Sequence, residues 1–199
     1  MTLDQFRPHM QGFFQPVVSL VRKAGITPNA LTVASFIVSI AAGIVFYLGG
    51  IALGTALVAL NAIFDGLDGA LARDMGIASI SGDFLDHVID RYADIFIITG
   101  IFAGGAAPWP IGILALTGVL MSSYLGTQAQ AVGVGRYYGG LLGRADRLVL
   151  IIIAGVLTVL IPVEILGMNY LGWLLVIFGG LGHYTAIQRF VHVWRQIEK

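Results

Sequence analysis

Seven of the chain's eleven acidic residues fall in one stretch, residues 65–94, DGLDGALARDMGIASISGDFLDHVIDRYAD, with long apolar runs on both sides. Asp65 and Asp68 are three apart and Asp86 and Asp90 four apart, so each pair shares one face of a helix. Two antiparallel helices joined by a short turn at 74–82 would bring the two faces together at one depth. Four converging carboxylates repel one another unless cations accompany them, and Arg73 and Arg91 are too few for that. A hard divalent cation supplies what is missing. An all-oxygen donor set favours Mg2+ or Mn2+, with Ca2+ as a bound substitute, over zinc. The alternating ligand spacing of an EF-hand loop is absent. Gly69, Ala70, Ala72, Gly76, Ala78, Ser79 and Gly82 leave open space beside the carboxylates, and Arg73 is available to a phosphate. Metal, cavity and arginine together point to phosphate or pyrophosphate chemistry at a membrane surface. The remaining residues of the stretch read more plainly: Asp74 as a solvated turn residue and Asp83 as a helix N-cap. Asp94 reads as a support behind Asp90 or an arginine's partner, and His87 as a packing or hydrogen-bonding residue on another face.

The elements that must position these residues are membrane helices. Of the 199 residues, 57% are hydrophobic and 11% charged, against roughly 25% charged in soluble domains. Mean hydropathy is +0.88. Apolar runs at 30–49, 110–132, 147–163 and 169–187 approach the roughly 20 residues that cross a bilayer as helix. Two shorter runs, 51–64 and 95–107, become spans only by extending into the acidic stretch, as 51–72 and 83–107. The expected fold is therefore an all-α integral membrane protein with six transmembrane helices. Residues 27–199 form that catalytic domain, and 1–26 an N-terminal amphipathic segment lying in the membrane interface, kinked near Pro16. Thr27 is a good N-cap and Pro28 suits the first helical position, so the first span should begin there.

All eleven Lys and Arg residues fall on one side of this plan, and the opposite connections near 49–51, 105–109 and 163–169 hold none. By the positive-inside rule the acidic stretch and both termini face the cytoplasm. Zero formal net charge gives no global field for nucleic acid, and the absence of cysteine removes disulfide, thiolate and thiolate-metal chemistry. The first residues, MTLDQFRPHMQGFF, are mixed in polarity and unlike a signal peptide.

Written out, the stretch is Asp65-x-x-Asp68-Gly69-x-x-Ala72-Arg73-x8-Gly82-x3-Asp86-x3-Asp90. This pattern resembles the signature of the CDP-alcohol phosphotransferase family, and the segment TPNALT before the first span resembles it too. The resemblance implies an enzyme of phospholipid synthesis that displaces CMP from a CDP-linked lipid donor with a small polar alcohol acceptor. It also implies that Asp65, Asp68 and Asp86 are metal ligands, with Asp90 as general base nearest the acceptor and a further ligand. Asp68, Gly69, Ala72, Arg73 and Gly82 would contact the CDP group, and Asn29 would reach its diphosphate. A homodimer is implied as well.

The acceptor would be sought in a second basic cluster, GRYYGGLLGRADRL at 135–148, where Arg136, Arg144 and Arg147 could join Arg189 around a phosphorylated alcohol. Tyr137 and Tyr138 read as interfacial anchors. Enzymes of the family that use inositol phosphate typically carry Lys or Arg just after the tyrosine of the preceding helix. Here that segment reads SSYLGTQAQ, which counts against inositol phosphate and keeps glycerol phosphate or an uncharged polyol open beside it. Two other classes use clustered carboxylates: membrane prenyltransferases, which need two aspartate-rich motifs, and cation transporters, which need a carboxylate path across the membrane. This chain has one compact motif on one side.

Overall fold

The structure is a computed structural model that describes residues 7–137 and 139–198, the first eight of them by backbone alone. Residues 1–6 of the expected amphipathic segment and the expectation for Tyr138 lie outside the described residues. Seven helices follow in order: α1 (Arg7–Lys23), α2 (Pro28–Tyr47), α3 (Ile51–Asp74), α4 (Ile80–Ala103), α5 (Trp109–Ala131), α6 (Arg144–Leu160) and α7 (Tyr170–Ile197). Four of them, α2, α3, α5 and α7, are long and apolar enough to cross a membrane. The protein is an integral membrane protein. Of the other two expected spans, α4 is as long as α3 but carries Asp83, Asp86, Asp90, Arg91 and Asp94. The 17 residues of α6 reach about 25 Å at the rise of an α-helix, the lower limit for a span.

Local chemistry sets the helix ends. The Thr27 side chain accepts from Ala30 N at 3.2 Å and Pro28 opens α2, as the sequence foretold. The apolar run 51–64 does continue into the acidic stretch, so α3 carries Asp65 and Asp68 in its last turns. It stops where Gly76 takes φ +65°, a conformation that costs glycine little, and Ile77 N returns to Ala72 O. Ser79, rather than Asp83, caps α4 by accepting from Gly82 N at 3.1 Å. Asp83 sits one turn further in and pairs with Arg136 instead. At the far end α7 continues to Ile197, beyond the expected end of the span, because 188–197 keeps helix-forming residues after the apolar window closes; there Phe190 and Trp194 stack at 5.6 Å.

α1 is tied to the bundle. Asp74, expected to be merely solvated, accepts from Gln15 Nε2 at 3.2 Å and pairs with Arg22 Nη1 at 3.1 Å. Beside it Val18 is buried against Leu31 and, on α3, Leu67 and Leu71.

The bundle packs by small residues. α2 and α4 cross with backbones in contact: a Cβ on Gly100 would lie 2.2 Å from Gly43 O, and one on Gly104 would lie 2.2 Å from Phe46 O. α5 and α7 meet similarly at Gly118 and Gly182. Such close approach is how membrane helices gain dispersion energy without a hydrophobic drive between them. Gly100→Val should therefore lower stability by at least the roughly 1–3 kcal/mol of core overpacking. Gly180→Ala, which meets nothing within 4 Å, is its neutral control. Thermal unfolding in detergent measures both, and equal melting temperatures would refute the crossing as a tight contact.

Candidate active site

One buried polar clamp lies beneath the motif. Asn61 on α3, fully buried, donates through Nδ2 to Ser35 O and Ser35 Oγ on α2, both at 2.9 Å. One turn further, Asp65 and Asp68 turn toward α2 and α4. Asp68 is 4% exposed and accepts from Thr32 Oγ1 at 2.6 Å. Its carboxylate is near enough to those of Asp86 and Asp65 to feel both charges. The sequence reading noted the segment TPNALT yet gave Thr32 no role. Its position one turn after Pro28 was the available signal.

The two aspartate pairs do face one another. One guanidinium spans them: Arg144, on the first turn of α6, lies 3.2 Å from Asp65 Oδ1 with Nη2 and contacts Asp90 Oδ1 with Nη1. Arg91 Nη2 approaches the other oxygen of Asp90 at 3.5 Å. The local cations are thus more than Arg73 and Arg91, because a distant segment brings a third. His87 also lies closer than the helix-face argument suggested. Its Nδ1 is 3.8 Å from Asp86 Oδ2, and ligand atoms of Asp86, His87 and Asp90 all fall within 4.8 Å of one another.

A divalent cation fits these donors. Four carboxylates converge against two adjacent guanidiniums, Arg144 and Arg91, and hard oxygen donors with one imidazole suit Mg2+ or Mn2+. The motif's small residues lie beside groups that bind anions. A Cβ on Gly69 would sit 3.2 Å from Arg73 Nη1, so the arginine lies along the glycine. Arg73 itself is exposed and makes no ion pair among the described residues. A Cβ on Gly82 would come within 3.7 Å of Asn29 Oδ1, which places the first turns of α2 and α4 side by side. Ala72 is half-buried one residue before Arg73. Two helix N-termini, an exposed guanidinium and unfilled backbone make a bed for a diphosphate.

The four arginines proposed for the acceptor are placed differently from one another. Arg144 is at the carboxylates. Arg136 makes a two-bond fork to Asp83, at 2.8 and 3.2 Å, on the rim. Arg147 is 2% exposed and bonded to Asp94 Oδ2 at 2.7 Å. Arg189 donates through Nε to Gly139 O at 2.8 Å and through Nη1 to Ser122 O at 2.6 Å. Gly126 gives it room, since a Cβ there would meet Nη1 at 2.6 Å. Tyr137, expected as an interfacial anchor, is half-buried and stacks on His192 with ring centroids 3.8 Å apart. The connection between α5 and α6 is thereby tied to α4 at Arg136 and to α7 at Arg189 and His192.

The profile of the CDP-alcohol phosphatidyltransferase family matches residues 25–181, which include every residue of the motif. The chain belongs to this family. It is a transferase of phospholipid synthesis, and the prenyltransferase and transporter readings are set aside. Among relatives of this phosphatidyltransferase, it is 32% identical to the archaetidylinositol phosphate synthase of Methanothermobacter thermautotrophicus, over 98% of this chain and 96% of that one. The phosphatidylinositol phosphate synthase PgsA1 of Mycobacterium tuberculosis, solved with CDP-DAG bound, is similar in fold with a TM-score of 0.78 and 25% identity. That match covers 90% of this chain and 92% of the other. The same enzyme in complex with manganese and citrate gives a TM-score of 0.79 at 25% identity, covering 90% and 88%.

Proposed function

We propose that this phosphatidyltransferase transfers a phosphatidyl-type group from a CDP-linked lipid to inositol phosphate, releasing CMP. The reading is carried by Arg144, whose guanidinium stands between Asp65 and Asp90 and so puts an anion-binding group in the same cavity as the motif. A phosphorylated acceptor held there would present its hydroxyl beside Asp90. The naming of a relative that matches nearly the full chain supports inositol phosphate over glycerol phosphate or a neutral polyol. The missing basic residue in SSYLGTQAQ counts for less than the sequence suggested. Arg189 brings a guanidinium from α7 to the backbone of that same segment, at Ser122.

In the proposed reaction Asp65, Asp68, Asp86 and Asp90 hold a divalent cation, a role supported by the manganese complex of PgsA1. When bound, that cation would neutralise negative charge on the diphosphate as CMP is released. Asn29, Gly69, Ala72, Arg73 and Gly82 hold and orient the cytidine diphosphate. Thr32 fixes Asp68 in the rotamer that faces the cavity. Asp90 takes the proton of the acceptor hydroxyl as its oxygen attacks the phosphorus bearing the lipid. The bond from that phosphorus to the bridging oxygen of CMP breaks, and CMP leaves with the electron pair. Six spans, α2 to α7, with α1 in the interface and the site on the cytoplasmic side, complete the reading. The lipid then never has to leave the bilayer.

A panel of acceptors tests it: inositol phosphate, glycerol phosphate, inositol and serine, each with CDP-diacylglycerol or its ether-lipid equivalent in liposomes. CMP release should be fastest with inositol phosphate. Faster release with glycerol phosphate or with unphosphorylated inositol would overturn the acceptor assignment while leaving the donor half standing.

A further inference from the structure

Behind the contact of Arg144 with the motif lies a second one that the reaction does not use. Asp94 is one turn beyond Asp90 on α4, and Arg147 is one turn beyond Arg144 on α6. Both are almost wholly buried, with side chains 5% and 3% exposed, and Arg147 Nη2 reaches Asp94 Oδ2 at 2.7 Å. Arg91 braces the pair from the same helix, with Nε 3.7 Å from Asp94 and Nη2 3.5 Å from Asp90. The first turn of α6 is itself held by Asp146, whose Oδ2 accepts from Gly143 N at 2.8 Å. α4 and α6 run in parallel, so the contacts form two rungs: Asp90 to Arg144, then Asp94 to Arg147.

A buried ion pair is a weak source of stability, because desolvation offsets much of its attraction. What it does provide is register. α6 packs on α3, closely where Gly155 meets Thr55, and on α7, and makes little direct contact with α4. Between α4 and α6 themselves the ion pairs are the contacts that set how far one sits along the other. The hydrogen bond from Arg147 Nη2 to the buried Asp94 carboxylate is one of them. A slip of one helical turn would move Arg144 by about 5 Å and take it away from Asp90.

We infer that Asp94 and Arg147 are positioning residues: a buried register pin that sets Arg144 opposite Asp90 and so fixes the acceptor's anionic group at the base. This rests on the reading of Arg144 as acceptor-binding. Neither residue touches the donor bed of Asn29, Gly69, Arg73 and Gly82, so the pin acts on one substrate only.

The test replaces the pair by apolar residues of similar size, Asp94→Leu with Arg147→Met, so that no charge is left buried and unpaired. Thermal melting and the KM values for CDP-lipid and for inositol phosphate are measured, with Arg144→Ala in parallel. The double variant should melt close to wild type and keep its KM for CDP-lipid. Its acceptor KM should rise about tenfold or more, and kcat should fall, as displaced catalytic geometry costs. An unchanged acceptor KM in a folded double variant overturns the pin, and so does a parallel rise of both KM values. If Arg144→Ala raises the acceptor KM while the double variant does not, the pin fails and the acceptor reading stands. If Arg144→Ala leaves it unchanged, the acceptor reading fails and the pin with it. Should the double variant not fold, Arg147→Lys, which keeps the charge but shortens the reach to Asp94, carries the same expectations and the same refutations.

Discussion

Asp90→Asn is expected to slow CMP release by about 10²–10⁴-fold, the range attributed to a positioned general base, with CDP-lipid affinity retained. The amide is nearly isosteric, and its one oxygen can still accept from Arg144 or from Arg91, though not from both, so the 7% exposed site should largely keep its packing. What it cannot do is take a proton. The measurement is single-turnover CMP release beside equilibrium binding of the CDP-lipid. A turnover within a few fold of wild type would remove Asp90 from the role of base. Loss of CDP-lipid binding together with turnover would instead make it a donor ligand first. A Mn2+ titration followed by electron paramagnetic resonance separates lost metal affinity from a lost base.

Chelation should have an effect at least as large. Removal of divalent cations with EDTA is expected to bring CMP release to background, and readdition of Mg2+ or Mn2+ to restore it. Four carboxylates facing two guanidiniums leave the cavity with excess negative charge, which disfavours both its own closure and the approach of a diphosphate. A cation that binds only the folded chain also stabilises it, by about 2.7 kcal/mol at a hundred times its Kd. The melting temperature should therefore fall on chelation and rise again with metal. Undiminished CMP release in EDTA would refute a metal-dependent reaction. Unchanged melting would place the cation's binding with the substrate rather than with the apoprotein.

Much of the fold was legible because its signals are local. Thr27 and Pro28 mark a helix start by their own chemistry, and the apolar runs give span lengths directly. The i,i+3 and i,i+4 spacing of Asp65, Asp68, Asp86 and Asp90 gives two faces, and an antiparallel pair makes them meet. What escaped was set by contacts distant in sequence. Asp74 resembles any turn aspartate until α1 lies against it through Arg22. Asp83 stands where a cap could be, but Ser79 is already in place and Arg136 claims it. The four arginines share a type and a side of the membrane, so the sequence groups them. Their burial and partners divide them into one at the motif, one on the rim, one buried on Asp94 and one bonded to the carbonyls of Gly139 and Ser122. His87 comes near Asp86 for a simpler reason, since a side chain's reach can offset its angular position on a helix.

The glycine crossing of α2 and α4 has a consequence for how this scaffold can change over evolution. With the backbones at Gly43 and Gly100 already touching, the two helices that carry Asn29 and Gly82 have little room to rock against each other, and in the proposed reading the nucleotide would meet a fixed mould. The proposed acceptor side would hang instead on α6 and the connection before it, held by ion pairs and a ring stack that single substitutions can rewire. The scaffold is thus divided into a conserved-geometry half and an editable half. On that reading a lineage could trade one head group for another by altering 132–147 and its partners on α5 and α7, without relearning how to handle the donor.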